Sequence, residues 1–126
     1  MSMRTPLSRA RGLGSAKHGV GHWITQRATA IALVPLVIFF LATMVANAGA
    51  SYEDARAYMS QPLIATGYSL LILVGLWHMK LGLAEVVADY IYTEGTKLFL
   101  LVLINFFAFG AGAVCLLSIL RLYVTG

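Results

Sequence analysis

The sequence predicts an all-α integral membrane protein with three transmembrane helices, at about residues 24–48, 62–90 and 97–123. Three observations predict it. Of its 126 residues, 60% are hydrophobic and 11% charged, with a mean hydropathy of +0.82, whereas a soluble domain averages about 25% charged residues. Charge is absent for 25 residues from Ala28 to Tyr52, for 23 from Ala57 to Met79, and for 23 from Leu98 to Leu120. At about 1.5 Å per residue, about 20 residues cross a hydrocarbon core of about 30 Å, while a barrel strand needs only about 9 to 11. A water-soluble globule is excluded, and a single domain over residues 1–126 is the natural count.

Residues 1–22 form a short basic arm. Four of the nine basic residues, Arg4, Arg9, Arg11 and Lys17, lie there with no acid, among Gly, Ser and Ala, the composition of a solvated segment rather than a folded element. No aromatics interleave with these basics, so the charge points to a membrane surface and not to nucleic acid. Basics, an apolar run and Ala46-Asn47-Ala48 together mimic a secretory signal. The leader is too long for one, and the apolar run exceeds the usual ~7 to 15 residues. A mitochondrial leader would also be Arg- and Ser-rich, but an uncleaved chain beginning at Met1 in a bacterial inner membrane is the expectation.

In the first span, Pro35 removes the bond its amide would give to Ile31 and predicts a mild kink. A polar loop from Gly49 to Gln61 follows, carrying Glu53, Asp54 and Arg56. It ends at Pro62, a good first-turn residue for the second helix. The connection from Ile91 to Thr96 is short, which makes the second and third helices antiparallel neighbours. In the third span, Ala108, Gly110 and Gly112 offer a small-residue face, and Asn105 a polar contact to a neighbouring helix or water. Cys115, the single cysteine, excludes a disulfide framework and a Cys-based metal site and reads as a small core residue.

Charge sets the direction. Arg4, Arg9, Arg11, Lys17, Arg27 and Lys97 fall on one side against Arg56 and Arg121 on the other, so the N-terminus is predicted cytoplasmic and the C-terminus periplasmic. Lys80 lies within the second span and is expected to reach along the helix toward the cytoplasmic interface.

The second helix carries the chemistry, because ionisable groups inside a span are costly and mark function. It holds His78, Lys80, Glu85 and Asp89. At about 100° per residue, His78, Glu85 and Asp89 fall within about 20° of one line, and Gly67, Leu71, Gly75 and Gly82 share that stripe. Small residues above and below a histidine leave room for a flat group such as a haem ring ligated by imidazole. Glycines at this spacing more often serve plain helix packing, and a single membrane histidine can simply bond a neighbour. His18 and His22 precede the first span, so a six-coordinate iron would need its other ligand from another polypeptide. Twelve residues after His78 stands Tyr90 beside Asp89, where the span meets water. Such a phenol can donate to a carbonyl oxygen, and the carboxylate can hold an arginine.

These residues resemble the hydrophobic membrane anchor of succinate dehydrogenase (respiratory complex II). The resemblance rests on RATA at Arg27–Ala30, the segment WHMKLGLAEVVADY from Trp77 to Tyr90, three spans and a short basic leader. It implies that His78 is one axial ligand of haem b, the other coming from the cytochrome b556 subunit. With both axial positions filled, the iron transfers electrons and does not bind oxygen. It implies that Tyr90 bonds a ubiquinone carbonyl, and that Asp89 pairs with an arginine of the cytochrome b556 subunit at the quinone pocket. Arg27 and His22 would contact haem propionates, Arg27 bidentately. FAD and the iron–sulfur clusters would reside in the flavoprotein and iron–sulfur subunits. The implied relay passes electrons from succinate through those subunits to ubiquinone at the cytoplasmic face, with this chain docking them and forming one wall of the quinone site. The chain itself has no nucleotide fingerprint and no cysteine cluster, so it does not run the succinate chemistry.

Other classes are a fumarate reductase anchor, which shares the fold, and a small transporter, for which Glu85 and Asp89 lie toward one end of their span and the other spans hold no acid. A structural assembly protein without haem is the third.

Overall fold

The computed structural model describes residues 3, 5–12 and 19–126. These form five helices and no strand: α1 (Pro6–Ala10), α2 (Gly19–Ala46), α3 (Tyr52–Met59), α4 (Pro62–Tyr90) and α5 (Glu94–Thr125). The three long helices α2, α4 and α5 are each long and apolar enough to cross a membrane, as the charge-free runs predict. Arg4, Lys17 and His18 of the predicted basic arm lie outside the described residues.

The first span differs from its expected start. α2 begins at Gly19, not near residue 24, and so takes His22 out of the arm and onto a helix. The charge-free count measures only the lipid-facing stretch, whereas helical hydrogen bonding continues through Val20, Gly21, His22 and Trp23 beyond it. α2 then runs unbroken through Pro35 for 28 residues, as a proline within a membrane helix can. Within the arm, α1 places Pro6 at its first position, where the missing amide donor costs nothing. Its residues from Leu7 to Ala10 with described side chains are exposed.

The expected polar loop holds a helix of its own. Ser51 caps α3: its Oγ accepts from the Asp54 amide at 3.1 Å and donates to Asp54 Oδ2 at 2.8 Å. Glu53 and Asp54 in the first turn complement the positive end of the helix dipole. Ser51-Tyr52-Glu53-Asp54 is a capping signature legible in the sequence. Gly49, at φ 78°, supplies a left-handed residue in the connection between α2 and α3, a conformation open to glycine because it has no Cβ.

α4 begins with Pro62 in its first turn and ends at Tyr90, matching the expected bounds. Only residues 91–93 separate it from α5. α4 is the middle helix, packed against α2 on one side and α5 on the other, and α2 and α5 do not meet. The small contacts that bring α5 close are Ala108 and Gly112, both buried, with Leu76 of α4 beside Gly112. Gly110 has open space around it and takes no part. Asn105 donates to Leu101 O of its own helix at 2.7 Å, which leaves its second N–H and its Oδ1 for groups outside the described residues. Cys115 is half-buried and free.

Little of this surface is buried within the chain. Only 11%, 6% and 6% of the most apolar windows of α2, α4 and α5 are fully buried; the other residues are half-buried along the helix seams or exposed, and the exposed apolar ones face lipid or other polypeptides.

Candidate functional site

The polar groups of α2 and α4 meet in an antiparallel register. Thr29 Oγ1 lies 2.9 Å from His78 Nδ1. Seven residues back along α2 and seven forward along α4, His22 Nε2 lies 2.8 Å from Glu85 Oε1. Seven residues are two turns, about 10.5 Å, so both pairs fall on the shared face. Toward the other end, Tyr68 donates its hydroxyl hydrogen to Thr43 Oγ1 at 2.7 Å, because the Thr43 hydroxyl hydrogen is given to Phe40 O at 2.7 Å.

The same register explains the glycine stripe. A Cβ on Gly67 would meet the Phe39 ring at 2.5 Å, one on Gly75 would stand 3.9 Å from Leu33 Cδ2, and one on Gly82 3.9 Å from Gln26 Nε2. All three partners belong to α2. The stripe therefore receives a neighbouring helix of the same chain, and the room that the spacing offers to a flat group is filled by α2. Of the two readings the spacing allows, the structure bears out helix packing for these glycines. The Oε1 of Gln26 is buried there with no hydrogen-bond partner among the described residues.

Lys80 also departs from expectation. Two residues on from His78, it stands about 200° round the helix, and its Nζ lies 5.6 Å from the centroid of the Phe109 ring of α5 rather than reaching along the helix to the interface. A groove of about 640 Å³ runs beside it between α4 and α5, lined by Leu73, Trp77, Phe109 and Leu116 among others. Glu85, whose part the sequence leaves open, is the partner of His22. The signal that could have found it was the equal spacing: once Thr29 faces His78, an antiparallel pair must bring His22 to Glu85.

The other predicted residues are not gathered onto this pair. Asp89 and Tyr90 end α4 exposed, Tyr90 at 73%, and neither side chain has a hydrogen-bond partner among the described residues. Arg27 is exposed on α2, its Cζ 5.7 Å over the Trp23 ring. It stands two residues from Thr29 and so faces away from α4. Arg27, Asp89 and Tyr90 thus remain available to groups outside the chain, while His22 already spends Nε2 on Glu85.

Fold and site together define a three-span membrane protein with a row of polar pairs between its first two spans. Its residues 1–112 match the model of the succinate dehydrogenase/fumarate reductase transmembrane subunit family. The chain is 33% identical over 93 residues to the succinate dehydrogenase hydrophobic membrane anchor subunit of Paracoccus denitrificans, covering 74% of this chain and 71% of that protein. It is 29% identical over 105 residues to the protein of that name from Rickettsia bellii (strain RML369-C), covering 83% and 84%, and 28% identical over 96 residues to the succinate dehydrogenase membrane anchor subunit of Reclinomonas americana, covering 73% and 79%. No solved structure matches the chain significantly. The chain belongs to the succinate dehydrogenase/fumarate reductase transmembrane subunit family, among its membrane anchors.

The donor set of the middle helix suits a haem. His78 is half-buried in the span, with Nδ1 tied to Thr29 and Nε2 without a partner among the described residues. An imidazole held by one nitrogen and open at the other is the form that ligates iron.

Proposed function

We propose that this chain is the anchor of a succinate:ubiquinone oxidoreductase in a bacterial inner membrane, with the N-terminus cytoplasmic and the C-terminus periplasmic. In this reading His78 supplies one axial ligand of haem b, and a histidine of the cytochrome b556 subunit supplies the other. The single observation that carries it is His78 itself: an imidazole within a span of a succinate dehydrogenase-type anchor, braced at Nδ1 and open at Nε2. Haem b bound there would supply a one-electron store beside the path from the iron–sulfur subunit to quinone.

The remaining residues take their parts from where they stand. Arg27, on the outer face of α2, offers a propionate a fixed planar cation. His22 has Nδ1 left for a second propionate contact. At the end of α4, the Tyr90 hydroxyl donates to a ubiquinone carbonyl, where a preorganised donor stabilises the charge that reduction places on oxygen. Asp89 holds an arginine of the cytochrome b556 subunit at the pocket rim. The outward apolar faces of the helices seat that subunit, and the cytoplasmic ends dock the iron–sulfur and flavoprotein subunits. Positive charge at the N-terminal side supports this orientation, and it places Tyr90 at the cytoplasmic face.

The test is the reduced-minus-oxidised spectrum of the detergent-purified complex, native against His78→Ala, with succinate:quinone activity recorded for Tyr90→Phe alongside. Loss or displacement of a b-type α-band in His78→Ala supports the assignment, and an unchanged band overturns it. Tyr90→Phe should keep the band and lose activity on the order of tenfold or more, the cost of removing one such donor.

A further inference from the structure

Thr29 is the second most buried polar residue described in the chain, at 5% exposure, and its oxygen has three neighbours. Oγ1 lies 2.8 Å from Thr25 O, 3.0 Å from Gln26 O and 2.9 Å from His78 Nδ1. A hydroxyl has one hydrogen to give and two lone pairs to offer. Carbonyl oxygens only accept, so at 2.8 and 3.0 Å the hydrogen must lie between Oγ1 and those two helix carbonyls. Toward His78 the hydroxyl therefore presents a lone pair, and the hydrogen of that bond belongs to Nδ1.

The consequence for the imidazole is specific. A neutral ring with its hydrogen on Nδ1 has its free lone pair on Nε2. Bracing at Nδ1 also fixes the ring about its bond to the helix. We infer that Thr29 is a positioning residue for His78: its hydroxyl, committed to the carbonyls of its own helix, accepts from Nδ1–H and thereby holds Nε2 as the iron-binding nitrogen. The inference rests on the reading of His78 as the haem ligand and adds to it a residue that touches neither iron nor quinone.

Accepting from Nδ1–H does more than orient the ring. It draws the hydrogen toward oxygen and raises the electron donation of Nε2, as acceptors behind metal-bound histidines do. Stronger donation favours the ferric over the ferrous ion, so removing the acceptor raises the midpoint potential of the haem. At this burial water does not replace the lost oxygen. The shift reads as about 59 mV for each tenfold loss of ferric preference in a one-electron couple.

The experiment is a redox titration of haem b in the purified membrane complex with Thr29→Val, Thr29→Ser and His78→Ala. Valine keeps the shape of threonine without the acceptor, and serine keeps the acceptor without the methyl group. The expected result is a haem in Thr29→Val that retains a b-type α-band at a raised midpoint potential, with Thr29→Ser at the native value. If Thr29→Val assembles without haem while Thr29→Ser is native in spectrum and potential, the acceptor is again what is required, because valine fills the same volume. A native potential in Thr29→Val, in a complex where His78→Ala loses its haem band, overturns the role of Thr29 and leaves the ligand assignment standing. The same holds if Thr29→Ser behaves as Thr29→Val does. An unchanged band in His78→Ala overturns the ligand assignment itself, and the two failures are thereby told apart.

Discussion

Three glycines grade the closeness of the helices and make the packing testable. A Cβ on Gly67 would lie 2.5 Å from both Cε1 and Cζ of Phe39, one on Gly112 would lie 3.2 Å from Leu76 Cδ1, and one on Gly110 would meet nothing within 4 Å. Carbon atoms in contact sit about 3.5 to 4.0 Å apart. In Gly67→Ala the ring must therefore withdraw by about 1 Å or more, and its edge-on arrangement with Tyr68, with centroids 5.7 Å apart, must move with it. Overpacking of this kind costs about 1 to 3 kcal/mol. Gly112→Ala asks only that a leucine methyl group yield by a few tenths of an ångström, and should cost less than about 1 kcal/mol on the same scale. Gly110→Ala meets no atom of this chain, and helix propensity alone would favour it by up to about 1 kcal/mol. The assay is dodecyl-sulfate-induced unfolding of the purified complex, with each alanine made also in a Phe39→Leu background. The cost of Gly67→Ala should fall by more than half when the ring is absent, while that of Gly112→Ala stays the same. Equal costs at all three glycines, or a Gly67→Ala cost indifferent to Phe39, would refute the assignment of the stripe to α2.

Two further predictions concern the polar pairs that fix the register. Thr43, at 3% exposure, accepts from Tyr68, and a double-mutant cycle of Thr43→Val with Tyr68→Phe should return a coupling of about 0.6 kcal/mol, with ~1.7 as an upper bound, as for other hydrogen bonds between membrane helices. A coupling of zero would show that the two hydroxyls do not share a hydrogen bond. His22 and Glu85 are more open, at 38% and 48% side-chain exposure, so Glu85→Gln combined with His22→Gln should give a coupling of about 0.2 to 1 kcal/mol that shrinks as salt is raised. A coupling that persists undiminished in high salt would mean that the contact is a hydrogen bond to a neutral imidazole or a pair shielded by another chain, and not an open ion pair.

The spans and their number were legible because lipid imposes length and apolarity directly on the sequence. The bounds of α4 were legible for a local reason, Pro62 at its start and a polar Asp-Tyr at its end. The start of α2 was not, since hydropathy marks where a helix enters lipid and not where its hydrogen bonds begin. α3 was readable in Ser51-Tyr52-Glu53-Asp54 but was hidden by its charge, which in a chain so apolar reads first as a loop. Inside the bundle, periodicity placed His78, Glu85 and the glycines on one face but did not say what covers that face. The same stripe of small residues admits a flat cofactor or a second helix, and only the pairing of Gly67 with Phe39 separates the two. Lys80 escaped for a related reason: a long cation within a span has more than one way to be accommodated, and a ring on α5 was as near as the interface.

The placement of α4 between two helices that do not touch one another has a functional consequence. Its two flanks are spent on α2 and α5, so on the proposed reading of His78 a group shared with another chain would reach it from a side that neither helix covers. A histidine in that position would swing freely if its only neighbours were apolar, and each rotamer would present a different nitrogen. The contact between Nδ1 and the buried Thr29 hydroxyl removes that freedom within the chain itself, and the Tyr68–Thr43 and His22–Glu85 pairs on either side lock the register that delivers Thr29 to it. If His78 is the ligand proposed above, helix packing within this chain and ligand presentation to another are one arrangement, and a change that slips α2 past α4 by a single turn would cost both. Gly67→Ala supplies the check on that coupling: if the ring of Phe39 is displaced enough to shift α2, the haem midpoint should move in the same upward direction as in Thr29→Val, and with Phe39→Leu it should return.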